Sequence, residues 1–195
     1  MTRILDIGFS LLGIIVLLPV FLILSIIVFF DSGRPVFYTQ KRVGRNGLDF
    51  VLYKFRTMSK GSESRGLLTV GVKDSRISRS GYFLRKYKLD EIPQLINVLS
   101  GDMSLVGPRP EVRKYVDLYT AIQQQVITVR PGITDYASII YVDENILLSH
   151  SVDPEKTYIN EIMPRKIELN MRYINNPTIA QYFTILFLTF LRIFR

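Results

Sequence analysis

The sequence predicts an α+β fold that is mostly helical, with a long apolar N-terminal helix and a small β-hairpin. Three observations lead to this fold class. Residues 7–30 carry no charge, residues 36–40 and 50–55 are rich in Val, Phe and Tyr and flank an Asn-Gly pair, and helical patterns occupy much of the rest. Because the chain has 195 residues and 48% of them are hydrophobic, we expect one folded unit.

The apolar stretch from Ile7 to Phe30 is long enough to cross a bilayer. As a straight helix its 24 residues would reach ~36 Å, against ~30 Å for a hydrocarbon core. Pro19 is expected to interrupt this helix, because proline cannot donate to the carbonyl of Ile15. Residues 1–33 are therefore predicted to be a membrane anchor. It either crosses once with a kink or turns at Leu18 and Pro19 and leaves on the same face.

Positive charge is concentrated just after the anchor. The chain carries a net charge of +8, and residues 31–60 hold seven Lys and Arg against two Asp. By the positive-inside rule, this surplus places residues 34–195 on the cytoplasmic face. A basic surface suits anionic lipid headgroups, nucleic acid or the phosphates of a small substrate. We do not expect nucleic acid as a partner, because no nucleic-acid-binding motif is present.

Cysteine and histidine usage limits the possible chemistry. The sequence has no Cys and one His, His150, which excludes disulfides, thiol nucleophiles and sites with several histidine ligands. Catalysis would have to use carboxylates, cations and backbone groups. His150 and the nearby Asp143 and Glu144 are expected to be solvated surface residues.

Local signals predict the elements between the hairpin and residue 126. Residues 59–80 lack a helical period and are expected to form an irregular loop. Asp90 is expected to cap a helix that ends at Gly101. Another helix is predicted over residues 111–126.

Two more helices are predicted in the C-terminal part. The first begins at Asp153, bends near Pro164 and reaches residue 174. The second spans residues 178–194 and is apolar on nearly every face. We expect it to lie at the membrane interface, with a buried core helix as the alternative.

The adjacent carboxylates Asp90 and Glu91 are the strongest candidates for chemistry. They lie at a predicted helix start, with Arg85, Lys86 and Lys88 just upstream. For an isolated Asp-Glu pair, an ordinary capped helix is the usual explanation. However, paired carboxylates also suit Mg²⁺, which binds through one or two carboxylates plus substrate phosphates, and aspartate can be a covalent nucleophile.

Three segments that carry cations could complete a phosphate site around this pair. They are residues 54–58, 101–110 and 130–134, and the last two combine their cations with turns rich in Gly and Pro. Such turns present backbone N–H groups and guanidinium groups suited to a pyrophosphate. A pyrophosphate next to a membrane anchor suggests transfer between a nucleotide and a lipid.

In these motifs the chain resembles the bacterial sugar transferases, also called polyprenyl-phosphate hexose-1-phosphate transferases or small monotopic phosphoglycosyl transferases. Residues 54–58, 89–94, 97–110 and 130–134 match the family's motifs in order. The resemblance implies a re-entrant membrane helix broken at Pro19. It also implies amphipathic interfacial helices around an active site on the cytoplasmic face of the bacterial inner membrane.

The resemblance assigns a reaction and a role to each motif residue. Asp90 would attack the β-phosphate of a UDP-sugar, release UMP and hold the phosphosugar covalently. Glu91 would bind Mg²⁺ with Asp90, or position and deprotonate the second substrate, a polyprenyl phosphate. The residues implied to bind phosphate are Lys54, Arg56, Arg85, Arg109 and Arg130, and the supporting residues are Gln94 and Asp102.

Two alternatives stay open. The lipid phosphate could attack the UDP-sugar directly, with Asp90 and Glu91 serving only the metal. A non-catalytic membrane-anchored module that binds anionic lipid or a partner protein is the other. The chain also departs from the family after Thr134, where Asp135 and Tyr136 stand in place of the common Gly and Trp.

Overall fold

The computed structural model describes residues 2–62, 66–71 and 74–193. One long helix, α1 (Thr2–Ser32), leads into an antiparallel hairpin of β1 (Phe37–Val43) and β2 (Asp49–Phe55). A second, parallel pair consists of β3 (Ser104–Val106) and β4 (Gly132–Thr134). The other helices are α2 (Arg79–Lys86), α3 (Gln94–Ser100), α4 (Arg113–Val116), α5 (Tyr136–Ile140), α6 (Glu144–Ser149), α7 (Pro154–Thr157), α8 (Met163–Asn175) and α9 (Ile179–Ile193). The mostly helical α+β class is confirmed.

Helix α1 is the one described helix that is long and apolar enough to cross a membrane. It runs without interruption from Thr2 to Ser32, at ~1.5 Å per residue or ~46 Å, and contains Pro19. The expected break at Pro19 is therefore not seen. A proline removes only one helical hydrogen bond, and residues on both sides of it pack on the rest of the protein, including Gly13 against Leu95 and Leu24 in a buried cluster.

Both ends of α1 are fastened to the same body of the protein. At its start, Arg3 donates to the carbonyls of Val98 at 2.6 Å and Leu99 at 3.0 Å. At its end, the Asp31 carboxylate accepts from the hydroxyl of Ser80 at 2.7 Å. The helix therefore lies along the protein rather than projecting from it.

The hairpin agrees with its prediction. Asn46 and Gly47 both adopt positive φ in the connection, at 57° and 77°, which an Asn-Gly pair tolerates well. Tyr38 pairs with Lys54, and Arg42 pairs with Phe50. Because side chains alternate along a strand, Tyr38, Arg42 and Lys54 share one face of the hairpin.

Two predictions for the middle of the chain need correction. Asp90 does not cap a helix, because a 3-10 turn over Leu89–Glu91 precedes α3, and α3 then ends as expected at Gly101. The helix predicted over 111–126 is wrong. Only the short α4 and a 3-10 turn at Gln123–Thr128 form there, and both contribute to one buried cluster.

The C-terminal helices follow the sequence signals more closely. Asp153 caps α7, and a π-helical turn over Tyr158–Ile162 joins α7 to α8 just before Pro164. In α9, Tyr182 and Ile185 are buried in the core, while Phe187 is 62% exposed. The last helix therefore combines both expectations, with one core face and one exposed apolar face.

Candidate active site

The Asp90-Glu91 turn is built so that its carboxylates face a cavity. Lys88 takes a left-handed conformation with φ 56°, and the following turn is 3-10. Leu89 and Ile92 pack into the cluster that α1 completes. The side chains of Asp90 and Glu91 are consequently directed to the other side, where both line a cavity of about 1130 Å³ and are buried, at 7% and 9% exposure.

Glu91 is held by two cations. Its Oε1 accepts from Lys54 Nζ at 2.9 Å and from Arg109 Nη2, and its Oε2 accepts from Arg109 Nη1 at 3.0 Å. Burial alone would raise the pKa of the Glu91 carboxyl, but Arg109 and Lys54 outweigh it and hold that pKa well below its usual range. Glu91 is therefore an ionised anchor for two cations.

The Asp90 carboxylate differs from that of Glu91 in its contacts. No hydrogen bond or ion pair joins its carboxylate to another residue in the described part of the chain. Burial raises the pKa of Asp90, and the negative charge of Glu91 adds to this, while Lys54 and Arg85 oppose it. The result is a desolvated carboxylate with nearby cations but no fixed partner, which is the state expected of a nucleophile or a metal ligand.

Several cations line the cavity, and three of them act most strongly on the two carboxylates. Lys54 comes from β2, Arg85 from α2, and Arg109 from the segment after β3. Arg85 donates to Thr69 Oγ1 at 2.9 Å, which fixes its guanidinium. Burial lowers the pKa of both Lys54 and Arg85. Cations outnumber carboxylates in the described lining, so the electrostatics of the cavity suit a polyanion such as a diphosphate.

Other predicted site residues have structural contacts instead. Arg56 borders the cavity, yet its Nη2 donates to the carbonyls of Ser32 and Gly33, so it caps the end of α1. Arg130 Nε donates to the Gly101 carbonyl at 3.0 Å. Since an arginine among turns serves carbonyls as well as phosphates, the motif pattern does not distinguish these roles.

The two supporting residues lie in the α3 region outside the cavity lining. Asp102 accepts from the Ser100 hydroxyl at 2.7 Å and orders the turn after α3. Gln94 is 1% exposed, and its Nε2 has no partner among the described residues. Both therefore contribute packing or turn geometry in this structure.

Sequence reasoning missed several residues of the cavity. Arg42 faces it next to Lys54 and is fixed by the Pro110 carbonyl at 3.0 Å and by Glu111 at 3.3 Å. Strand alternation in the hairpin could have identified it. Glu144, expected to be solvated, lines the cavity and pairs with Lys166 at 2.7 Å, whereas His150 is exposed as expected.

A buried hydrogen-bond network holds the backbone of Arg109. Asp135, at 3% exposure, accepts from the Arg109 backbone N–H at 2.8 Å and from Asn170 Nδ2 at 2.9 Å. The same carboxylate accepts from the Ser138 N–H and caps α5. These contacts link α5 and α8 to the cavity.

The donor set fits Mg²⁺ only in part. No group of three or more His, Asp or Glu side chains that could hold a metal occurs among the described residues. Both oxygens of Glu91 are engaged by cations, which leaves the Asp90 carboxylate as the free hard ligand. This arrangement fits an ion shared with substrate phosphates rather than one enclosed by protein.

Comparison with known proteins identifies similar sequences. The whole chain, residues 1–195, matches the family described as bacterial sugar transferase. A UDP-N-acetylgalactosamine-undecaprenyl-phosphate N-acetylgalactosaminephosphotransferase of Aeromonas hydrophila is 36% identical over 176 residues, covering 87% of this chain and 38% of the relative.

Two further relatives match a shorter stretch. A UDP-glucose:undecaprenyl-phosphate glucose-1-phosphate transferase of Xanthomonas campestris pv. campestris is 38% identical over 125 residues, covering 62% of this chain and 26% of the relative. The uncharacterized sugar transferase EpsL of Bacillus subtilis (strain 168) is 49% identical over 107 residues, covering 55% and 52%. The chain thus spans about half or less of the length of these three relatives.

Proposed function

Because this chain belongs to the bacterial sugar transferase family, we propose that it transfers a sugar-1-phosphate from a UDP-sugar to a polyprenyl phosphate such as undecaprenyl phosphate. UMP leaves, and the product begins a lipid-linked glycan. One observation carries this proposal, namely the unpartnered Asp90 carboxylate in a cavity lined by Lys54, Arg85 and Arg109. The relatives' names, which refer to UDP-sugars and undecaprenyl phosphate, support the substrate classes.

The residues suit a two-step transfer. An Asp90 oxygen attacks the β-phosphorus, a P–O bond forms, and the bond to the UMP oxygen breaks, which leaves the sugar phosphate on Asp90. An oxygen of the polyprenyl phosphate then attacks the same phosphorus and releases the Asp90 carboxylate. Phosphoryl transfer asks a protein mainly for positioning and charge neutralisation, which Lys54, Arg85 and Arg109 provide. Glu91 keeps Lys54 and Arg109 in place.

Mg²⁺ would be held by the free carboxylate of Asp90 together with the substrate's phosphates. When bound, it neutralises charge on the diphosphate. Lys54 and Arg109 remain paired with Glu91 and bind the outer phosphate oxygens.

The contacts of α1 support an anchor that lies at the cytoplasmic face of the bacterial inner membrane without crossing the bilayer, and because α1 is continuous through Pro19 this arrangement needs no turn there. Arg3 near its start and Asp31 at its end both bind the same body of the protein. A helix that crossed the bilayer would carry these ends to opposite faces. The exposed apolar side chains of α9, such as Phe183 and Phe187, lie beside those of α1. The rings of Phe9 and Phe183 meet edge to face, with their centroids 6.1 Å apart.

UMP release tests the reaction. The purified full chain is incubated with Mg²⁺ and a panel of UDP-sugars, with and without undecaprenyl phosphate. A stoichiometric burst of UMP without lipid supports the covalent route, and Asp90→Asn should abolish it. Asp102→Asn is the matched control, since it makes the same chemical change outside the cavity lining.

Other results would separate the alternatives. UMP formed only when lipid is present would support direct attack by the lipid phosphate and contradict the covalent step. No UMP from folded wild-type protein across a broad panel of donors would refute the transferase proposal and favour a non-catalytic membrane module.

Topology can be tested with single cysteines, because the chain has no native Cys. Thr2→Cys and Ala180→Cys should both react with a membrane-impermeant maleimide only from the cytoplasmic side of oriented vesicles. Val16→Cys, near the middle of α1, should be protected from both sides. Labelling of Thr2→Cys from the other side would mean that α1 crosses the membrane.

A further inference from the structure

The parallel β3–β4 pair ends where the active-site arginine begins. Ser104 donates to the Pro131 carbonyl at 2.8 Å, and Gly107 donates to the Thr134 carbonyl at 3.0 Å. The two chains approach so closely that a Cβ on Gly132 would lie 2.1 Å from the nitrogen of Gly107. The backbone before Arg109 is therefore tightly constrained.

The next donor on this strand has no backbone acceptor opposite it. Pro108 has no N–H, so the next N–H belongs to Arg109. The opposing chain has by then turned into α5 at Tyr136. The Asp135 side chain supplies the missing acceptor, at 2.8 Å from the Arg109 nitrogen.

Asp135 is itself held in place. It is 3% exposed, and its Oδ2 is shared between the Arg109 N–H and Asn170 Nδ2, while its Oδ1 accepts from the Ser138 N–H. Three donors from three segments converge on one buried carboxylate, so its position has little freedom. Charged acceptors of this kind form the stronger hydrogen bonds in proteins.

From this geometry we infer that Asp135, oriented by Asn170, is a positioning residue for Arg109. It fixes the backbone from which the Arg109 guanidinium reaches Glu91 and the phosphate cavity. Asp135 acts through Arg109 and does not touch substrate. The inference deepens the proposed transferase function and rests on it for the catalytic readout.

The first test measures the link itself, without reference to activity. Hydrogen exchange of the full chain in detergent should be faster in peptides covering residues 107–112 for Asp135→Ala than for wild type. Exchange in α3, residues 94–100, should not change. Unaltered exchange at 107–112 would overturn the inference, whether or not the protein is a transferase.

The second test is a double-mutant cycle on UMP release. Asp135→Ala should lower kcat/KM about 10- to 100-fold, since small misplacement of a binding group has effects of this size. In an Arg109→Ala background the same change should have less than about a 2-fold further effect, because coupled residues are not additive. An equal fall in both backgrounds would show that Asp135 does not act through Arg109.

Two variants separate positioning from general destabilisation. Asp135→Asn keeps an oxygen for the Arg109 N–H and should recover most of the activity that Asp135→Ala loses. Asp153→Ala removes a helix cap of the same kind from α7, which lies outside the cavity lining, and should leave UMP release unchanged. Failure of Asp135→Asn to exceed Asp135→Ala would contradict the inference. If wild type released no UMP, the transferase proposal would fail and hydrogen exchange would still decide the link.

Discussion

Changing Asp90 and Glu91 to their amides should have opposite effects on stability, although the residues are adjacent and equally buried. Glu91→Gln removes the buried charge that pairs with Lys54 and Arg109 and leaves two partly buried cations uncompensated. Asp90→Asn removes a buried charge that has no fixed partner. Since burial raises the pKa of Asp90, its ionised form costs stability at neutral pH, and the amide does not bear that cost.

The magnitudes differ enough to measure. Removing one partner of a buried ion pair costs about 3–5 kcal/mol. At roughly 2–4 °C per kcal/mol for a chain of this size, Glu91→Gln should lower Tm by about 6–20 °C. Asp90→Asn should raise Tm, because each unit by which a carboxyl pKa is raised corresponds to about 1.4 kcal/mol of lost stability above that pKa.

Thermal unfolding of the full chain in detergent, followed by circular dichroism at pH 8 and pH 5, provides the assay. The gain from Asp90→Asn should shrink toward pH 5, because protonation relieves the cost of the buried charge as pH falls through a raised pKa. The loss from Glu91→Gln should be the same at both pH values, because a carboxyl with a lowered pKa stays ionised at pH 5. A similar fall in Tm for both variants would refute this electrostatic account.

Three other perturbations test the roles assigned above. Arg56→Met should lower the free energy of unfolding by about 1–3 kcal/mol, because it leaves the carbonyls at the end of α1 without their donor. The same variant should change KM for the UDP-sugar less than about 2-fold; a rise of about 10-fold would indicate that Arg56 binds phosphate. Asp6 of α1 is 2% exposed, and its carboxylate accepts from the Ser104 hydroxyl, the Leu105 N–H and the Tyr182 hydroxyl. Asp6→Ala leaves these three donors unpaired and should lower Tm more than Asp6→Asn; an unchanged Tm would contradict this. The pH profile of kcat/KM should have an acid limb above the usual Asp pKa of ~3.9, because Asp90 must lose a proton and its pKa is raised. Its alkaline limb should lie below the usual Lys pKa of ~10.4, because Lys54 must keep a proton and its pKa is lowered.

Short-range sequence signals predicted those parts of the fold that depend on the backbone preferences of single residues. The Asn-Gly connection of the hairpin and the end of α3 at Gly101, with φ 95°, both follow from conformational preferences of single residues. The helix predicted over 111–126 failed because that stretch is organised by contacts with distant residues. Its side chains reach one buried cluster from separate short turns.

The sequence likewise identified the residues of the candidate site better than it identified their roles. The motifs directed attention to Lys54, Asp90, Glu91 and Arg109, and the structure brings these four residues to one cavity. They could not separate an arginine that faces the cavity from Arg56, which caps a helix, because both occur in cationic turns. Only the tertiary structure reveals which carbonyls or carboxylates lie nearby.

The position of α1 has a consequence for how proteins of this kind could be recombined. Leu24 and Val28 of α1 share a buried cluster with Phe55 and Leu84. Leu89 and Ile92, which flank Asp90 and Glu91, pack against this cluster. Exchanging α1 for another apolar helix would therefore replace the side chains on which the Asp90-Glu91 turn packs. Under the proposed function, membrane attachment and chemistry are therefore not separable modules in this protein, and a sequence change in α1 also changes the surroundings of the candidate site.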